Sequence, residues 1–136
     1  SEKTLWQDVL KKSPQKARSF INYARALYFS GEIQPAIENF KRAIELDPYY
    51  FEPHHNLAEA LIRVGKCQEA IKEFEFALRL DPKLVESMVG LGRCHKKLAN
   101  HDKAKGYFMR ALEIRPSYSS AFLELGLLHF FELNQK

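Results

Sequence analysis

Residues 36–48 read AIENFKRAIELDP, and the chain repeats this segment twice at intervals of 34 residues. The second copy, 70–82, reads AIKEFEFALRLDP, and the third, 104–116, reads AKGYFMRALEIRP. Each copy opens with alanine, carries phenylalanine at its fifth place and alanine at its eighth, and closes with proline. Self-similarity at a period of this length is typical of stacked-repeat proteins. The sequence therefore predicts an array of similar units that builds its core along a line.

The stretches between the copies carry apolar residues at helical spacing, so each unit is predicted to hold two helices. Gly31 is expected to close the first helix of its unit in a left-handed turn, whereas Asn100 is expected to cap the helix after it. The copied segment forms the second helix, which ends where proline excludes the helical conformation from the residue before it. We expect helices over 3–12, 16–29, 34–46, 51–64, 67–80, 85–98, 102–114 and 118–132.

The order of small and large residues in each unit resembles the tetratricopeptide repeat: aromatic-x2-Leu-Gly/Ala-x2-large, then Ala-x3-Phe, Ala and Pro. The resemblance implies an all-α fold, an α-solenoid in which antiparallel helix pairs form a right-handed superhelix. The RNA-binding pentatricopeptide repeat is similar in size, but its period is one residue longer and its pattern fits worse. The resemblance divides the chain into the second helix of a preceding partial repeat at 2–14, repeats at 17–50, 51–84 and 85–118, and the first helix of a following repeat, or a capping helix, at 119–136.

The phenylalanines of the copied segment are expected to fill the space between one unit and the next. Each ring contributes about 1.5–3 kcal/mol when fully buried. Small residues on the first helices are expected to let the two helices of a unit approach closely. The phenylalanines are Phe40, Phe74 and Phe108, and the small residues are Ala24, Ala58 and Gly92.

Composition and motifs argue against catalysis, a cofactor and nucleic acid. The net charge is +4, and acidic and basic residues alternate through most helices, unlike the one-sided basic face of a nucleic-acid binder. None of the common catalytic or phosphate-binding motifs occurs in the sequence. His54 and His55 are adjacent on a helix and point about 100° apart, so they cannot share a metal ion. Cys67 and Cys94 are expected to be small buried residues. We therefore predict neither an enzyme nor a metal or cofactor site.

The resemblance implies that the first helices line a concave groove that receives an extended peptide or a partner helix. The predicted function is a non-catalytic protein–protein interaction module, a scaffold or adaptor. Carried over by position, the lining residues are Arg18, Ile21, Asn22, Arg25, Tyr28, Phe29, Glu52, His55, Asn56, Glu59, Ile62, Arg63, Glu86, Val89, Arg93, Lys96, Lys97 and Leu123, with Ser120, Glu124 and Leu127 beside them.

Two asparagines of this set, Asn22 and Asn56, stand one repeat apart. They resemble the ladder with which related arrays clamp a peptide backbone, and the alternative is that they are hydrated surface residues. Chaperone-binding members of the family hold terminal carboxylates with a set of Lys, Asn and Arg that only Asn56 matches here. Glu86 stands where that set needs a cation, so a chaperone-tail adaptor is disfavoured. The mixed groove favours a partner with both signs of charge and some apolar anchors.

Two further surfaces, the first of which shares Arg93, Lys96 and Lys97 with this set, point to other partners. Basic residues crowd around the third turn and could meet an acidic partner or anionic lipid, or form a solvated face: Arg93, Lys96, Lys97, His101, Lys103 and Lys105. The last helix is apolar nearly all round, which favours either a continuation of the chain or self-association through Phe122, Phe130 and Phe131.

The opening residues, SEKTLWQDV, with the following KSP and AR, resemble the segment after the membrane region in polytopic O-mannosyltransferase-like proteins with tetratricopeptide tails. The alternative function is therefore the repeat tail of a membrane glycosyltransferase-like enzyme, with catalysis outside this segment and a membrane tether in the longer protein. The chain does not begin with Met, which also suggests a longer parent. The default compartment is the cytoplasm, or else the chain is a soluble tail of a membrane protein.

Overall fold

The computed structural model describes residues 14–135, which form seven α-helices and no strand. The predicted helix at 3–12, and with it nearly all of the predicted partial repeat at 2–14, lies outside the described residues. Pro14 is the first residue of the first of the seven helices. The helices are α1 Pro14–Phe29, α2 Ile33–Leu46, α3 Phe51–Arg63, α4 Cys67–Leu80, α5 Val85–Lys97, α6 His101–Ile114 and α7 Ser119–Asn134. The predicted all-α repeat fold is confirmed.

The helices pack as a two-layer array. Each helix packs mainly on its neighbours in sequence, and the pairs α1 with α2, α3 with α4 and α5 with α6 are the most extensive. The first helices of successive pairs also touch one another, α1 with α3, α3 with α5 and α5 with α7. Helices α1, α3, α5 and α7 therefore form one layer, here called the inner layer, and α2, α4 and α6 form the other.

Left-handed residues close the turns within each pair. Gly31 has a φ of +91°, as predicted, and Gly65 has a φ of +79° in the equivalent turn after α3. The turn after α5 has no glycine, so Ala99 adopts a φ of +63° in its place. Asn100 follows at the start of α6, but its side chain makes no capping hydrogen bond, which corrects the prediction. Its amide faces the His95 ring instead, with Nδ2 3.5 Å from Nδ1.

Three rings form the centre of the core, since Phe40, Phe74 and Phe108 are at most 1% exposed. A Cβ atom on Gly92 would lie less than 3.0 Å from three atoms of the Phe108 ring in the same helix pair. The prediction that a small residue there allows close approach is confirmed. The sequence interpretation did not foresee the same relation between Gly90 of α5 and Phe74 of the preceding pair.

No helix of residues 14–135 combines the length and apolarity that crossing a bilayer requires.

Candidate functional site

The accessible face of the inner layer contains three junctions between successive first helices, named here α1/α3, α3/α5 and α5/α7. Related positions recur along this face every 34 residues, so the three junctions can be compared directly. Contacts within the chain bridge the α3/α5 and α5/α7 junctions. One cavity lies at the α1/α3 junction, and another, beside the α5/α7 junction, is lined by Lys96, His101, Leu127, Leu128 and Phe131.

An ion cluster around Glu124, which is 7% exposed, bridges the α5/α7 junction. Arg93 Nε donates a hydrogen bond to Glu124 Oε1 at 3.0 Å, and Lys96 Nζ donates to Oε2 at 2.6 Å. Burial alone would raise the pKa of Glu124, but the hydrogen bonds and charges of Lys96 and Arg93 outweigh it and lower the pKa. Two members of the predicted basic cluster are therefore occupied by an internal carboxylate.

The α3/α5 junction is closed by His55 and by Phe74. The His55 ring is hydrogen-bonded through Nδ1 to Ser87 Oγ at 2.8 Å, and its centroid lies 5.5 Å from that of Phe74. Burial lowers the pKa of His55, which favours the neutral imidazole at this bond. The Phe74 ring also occupies the space over Gly90. The junction leaves no room for a ligand side chain at this point.

The α1/α3 junction encloses a cavity of about 210 Å³. We call this space the α1/α3 cavity; it is lined by Arg25, Tyr28, Phe29, Phe40, Asn56 and Glu59. The two aromatic walls meet edge to face, with the Tyr28 and Phe29 centroids 5.4 Å apart, and the Phe29 side chain is 77% exposed. The cavity is thus an accessible apolar recess.

Polar groups surround this recess, and one of them lacks a partner. The Nδ2 atom of Asn56 is buried and has no hydrogen-bond acceptor among residues 14–135. Burial also raises the pKa of the Glu59 carboxyl group, although the positive charge of Arg93 acts to lower it. Arg25 contacts Glu52 at 3.9 Å and stays half-exposed. A ligand in the recess would meet side chains of both charges.

Most of the predicted lining residues are exposed or half-buried on this face, and three are not. Ile21 and Val89 are 1% and 2% exposed, because both side chains pack into the core, and this corrects the prediction for these two positions. Glu124 is enclosed by its ion pairs. Glu86 lies within 3.4 Å of Arg115 at the end of α6, so it has an internal partner as well. Sequence reasoning missed Phe40 as a cavity residue.

The side chains considered for metal binding have structural partners. The His54 ring is hydrogen-bonded to the Glu73 carboxylate and to the Pro48 carbonyl, both at 2.8 Å. Cys67 and Cys94 are buried free thiols, and burial raises the pKa of Cys94. Within residues 14–135 no three His, Cys, Asp or Glu side chains come together in a way that could hold a metal ion.

Comparison with known proteins gives matches to repeat families and to solved repeat domains. A family model described as "Tetratricopeptide repeat" matches residues 49–117, half of the chain, and one described as "TPR repeat" matches 24–65. No sequence among curated proteins matches.

Three solved structures illustrate the structural likeness. The first TPR of Spaghetti (RPAP3), bound to the HSP90 peptide SRMEEVD, has a TM-score of 0.85 at 23% identity, over 89% of this chain and 96% of that chain. The Arabidopsis OM64 TPR domain has a TM-score of 0.84 at 20% identity, over 87% and 98%. The second TPR domain of human RPAP3, in complex with the HSP70 peptide SGPTIEEVD, has a TM-score of 0.81 at 25% identity, over 86% and 98%.

Proposed function

Because the chain belongs to the tetratricopeptide repeat family, we propose that it is a non-catalytic interaction module whose inner layer binds an extended peptide. The observation that carries the proposal is the α1/α3 cavity, an accessible apolar recess on the face formed by the first helices. Concave apolar recesses with a few convergent polar groups are the usual form of binding sites. The family is generally a protein-interaction fold rather than a catalytic one.

Peptide binding by similar domains supports this ligand class. The RPAP3 domains carry peptides that end in Glu-Glu-Val-Asp, so their ligands are acidic at that end. The corresponding face here does not suit such an end. Ile21 is buried, Gly90 is covered by the Phe74 ring, and Glu86 adds a negative charge. We therefore propose a different peptide, one with apolar anchors and charges of both signs.

The charges around the cavity support the same ligand. Arg25 and Arg63 are exposed on the inner layer, and the Arg63 guanidinium lies 5.1 Å from the centre of the Tyr28 ring. Glu52 and Glu59 lie on the same face and remain partly accessible. A peptide that follows this face would pass both cationic and anionic side chains within a short distance.

Selection from a random peptide library displayed on phage tests the proposal. Enriched peptides should bind the purified chain, and the variant Arg25→Glu/Arg63→Glu should weaken their binding at least tenfold. The control variant Lys72→Glu/Lys103→Glu reverses two exposed charges on α4 and α6, which do not belong to the inner layer, and should leave binding unchanged. Equal losses in the two variants, or no enrichment, would contradict the proposal.

We also propose that the chain self-associates through α7. Phe122, Phe130 and Phe131 are 58%, 67% and 45% exposed on this helix, an unusual density of exposed rings for a free surface. Sedimentation analysis should give a larger mass for the unmodified chain than for a variant with serine at the three positions.

The opening residues alone suggest the alternative function, the repeat tail of a glycosyltransferase-like membrane enzyme with a membrane tether. It stays a prediction, and the comparisons add nothing in favour of it.

A further inference from the structure

We propose that a second site lies between α4 and α6, where Lys103 and Arg110 bind the phosphate group of a phosphorylated side chain on a partner protein. The site is a cavity of about 460 Å³, called here the α4/α6 cavity, lined by Glu75, His95, Lys103, Gly106, Tyr107 and Arg110. It belongs to the layer formed by α2, α4 and α6, so it is separate from the inner layer and does not depend on the proposed function.

Two cationic side chains of α6 are exposed at this cavity without a carboxylate partner. Neither Lys103 nor Arg110 forms an ion pair with a carboxylate of residues 14–135. They are seven residues apart, so they lie on one face of the helix, with their Cα atoms about 10 Å apart along its axis. The Arg110 guanidinium lies 5.5 Å from the centre of the Tyr107 ring, a contact that keeps it beside the cavity. An anion bound between the two residues is within reach of both long side chains.

A glycine leaves the space between the two cations open. Gly106 lies between them on the same face of α6, and a Cβ atom there would meet nothing within 4 Å. Packing therefore does not require glycine, although glycine destabilises the interior of a helix relative to alanine. Helix α4 carries two cations at the same spacing, Lys72 and Arg79, but it has Glu75 at the intermediate position. On α6 an anion from outside the chain can take the place that a carboxylate occupies on α4.

The His95 ring adds a neutral donor to the cavity. It is 8% exposed and stacks on the Tyr107 ring, with the centroids 5.6 Å apart and the planes 9° apart. Burial and the charge of Lys103 lower the pKa of His95, although the charge of Glu75 acts to raise it, so the imidazole is neutral at pH 7. The Asn100 amide faces Nδ1 at 3.5 Å, which assigns the ring proton to Nε2. Nε2 is neither bonded to residues 14–135 nor fully enclosed by them, so it can donate to a ligand.

The donors of the cavity suit a phosphate better than a carboxylate. An ammonium, a guanidinium and an imidazole N–H equal in number the three terminal oxygens of a phosphate monoester, whereas a carboxylate has two oxygens. The two cations also match the charge of a phosphate monoester, about −1.5 to −2 at pH 7. Glu75 faces the same cavity from α4 and pairs with neither cation, so its charge weakens the binding of an anion without filling the site.

The surroundings of the cavity favour a phosphorylated protein over a membrane. The volume of about 460 Å³ lies within the range of small-ligand sites, roughly 300–1,000 Å³, so the cavity accommodates a phosphate together with the side chain that carries it. Exposed carboxylates alternate with the other cations of this layer, so it lacks the broad basic face that anionic lipids attract. These carboxylates are Glu38, Glu69, Asp102 and Glu113.

Three small probes test the specificity for phosphate. We would titrate the ¹⁵N-labelled chain at constant ionic strength with N-acetyl-O-phosphoserine amide, N-acetyl-serine amide and N-acetyl-aspartate amide. The phosphoserine probe should shift the signals of residues 103–110 and of the His95 ring, with a dissociation constant on the order of millimolar. The serine probe should shift none of them, and the aspartate probe should bind at least threefold more weakly. Equal binding of the aspartate and phosphoserine probes, or shifts confined to other helices, would overturn the proposal.

Matched variants test the two cations. Lys103→Gln/Arg110→Gln should weaken binding of the phosphoserine probe at least tenfold. Lys72→Gln/Arg79→Gln removes two cations at the same spacing from α4, including an arginine 5.2 Å from the centre of the Phe76 ring, and should change binding less than twofold. All four side chains are exposed, so both variants should keep the circular dichroism spectrum of the unmodified chain. Equal losses of binding in the two variants would overturn the proposal.

Two single substitutions have opposite expected effects. Glu75→Gln removes the opposing charge from the cavity, so the phosphoserine probe should bind at least twofold more tightly. Gly106→Glu gives α6 the carboxylate that α4 carries between its cations, so binding should be abolished. Weaker binding in Glu75→Gln, or unchanged binding in Gly106→Glu, would overturn the proposal.

Two further assays separate this site from the inner layer and from a lipid site. Phage-displayed peptides carry no phosphate, so their binding to the inner layer should not respond to Lys103→Gln/Arg110→Gln, and for the same reason Lys103→Glu serves as a control there. Vesicles of phosphatidylcholine and phosphatidylinositol phosphate should not retain the chain on sedimentation. Retention that Lys103→Gln/Arg110→Gln abolishes would assign the α4/α6 cavity to a lipid headgroup and overturn the proposal of a phosphorylated protein.

Discussion

Replacing Gly90 by alanine would measure the packing that closes the α3/α5 junction. The added Cβ would lie less than 3.0 Å from three atoms of the Phe74 ring, and that ring is fully buried, so it cannot turn toward solvent. Overpacking of this kind typically costs about 1–3 kcal/mol. Replacing a helical glycine by alanine also stabilises by roughly 0.5–1 kcal/mol, which partly offsets the clash.

Gly106→Ala is the matched control, because Gly106 is helical and exposed and a Cβ there meets nothing within 4 Å. The gain in helix propensity is common to both variants, so their difference isolates the clash. Urea unfolding followed by far-UV circular dichroism should place Gly90→Ala about 1–3 kcal/mol below Gly106→Ala in free energy of unfolding. In melting temperature this corresponds to roughly 3–5 °C per kcal/mol.

A second background makes the test specific to the ring. In a Phe74→Leu chain the smaller side chain leaves room for the Cβ, so the alanine at position 90 should cost less than in the unmodified chain. If Gly90→Ala is as stable as Gly106→Ala in the unmodified chain, the ring does not lie over Gly90. The Phe74 ring would then not fill the α3/α5 junction at this point.

Three further predictions concern the core, the ion cluster and the thiols. Phe74→Ala should lower the free energy of unfolding by about 3–5 kcal/mol, against less than about 0.5 for the exposed Tyr49→Ala, as measured by urea unfolding. The pKa of the Glu124 carboxyl group is lowered because its two cationic partners outweigh the effect of burial. Its contribution to stability is therefore fully present above the unfolded-state pKa of 4.5 and is lost as the pH falls through the lower folded-state pKa. The deficit of Glu124→Gln in urea midpoint should therefore shrink below pH 4.5, and a constant deficit would contradict the assignment. Burial raises the pKa of the Cys94 thiol, and Cys67 beside it adds to the effect, so a thiol reagent should modify the native chain far more slowly than the urea-unfolded chain.

The fold was predictable because each local signal points to the same result. The prolines after the second helices predicted where those helices end, and the structure shows how. The backbone N–H groups of Asp47, Asp81 and Arg115 each donate to the carbonyl of the copied alanine four residues before, and no further helical bond follows. The turns were less predictable, because Ala99 adopts a left-handed conformation for which its residue type gives no signal. In that conformation the N–H groups of Ala99 and Asn100 donate to the carbonyls of Lys96 and His95, and the same pair of bonds closes the Gly31 and Gly65 turns.

The sequence predicted which helices form the inner layer, but it did not predict which of their side chains are accessible. Position in the repeat selects the inner helices, but it cannot tell a side chain that points into the core from one that lines the surface. Ile21 and Val89 lie on the correct helices, and a slightly different rotation buries both of them. The ion cluster at the α5/α7 junction could not be predicted either, because the contacts of Arg93 and Lys96 with Glu124 join residues about one repeat apart in sequence.

The residue at one position of the inner layer differs from unit to unit, and so do the contacts at its junction. At this place the chain carries Asn56, Gly90 and Glu124 in successive units, and the copied phenylalanine lies beneath each of the first two. The Phe74 ring lies over Gly90, Glu124 pairs with two cations across its junction, and Phe40 and Asn56 both line the α1/α3 cavity. The copied segment keeps the rings identical, so specificity has to come from the first helices. A peptide that followed this face, as we propose, would therefore meet the α1/α3 cavity and exposed side chains of both charges beside it.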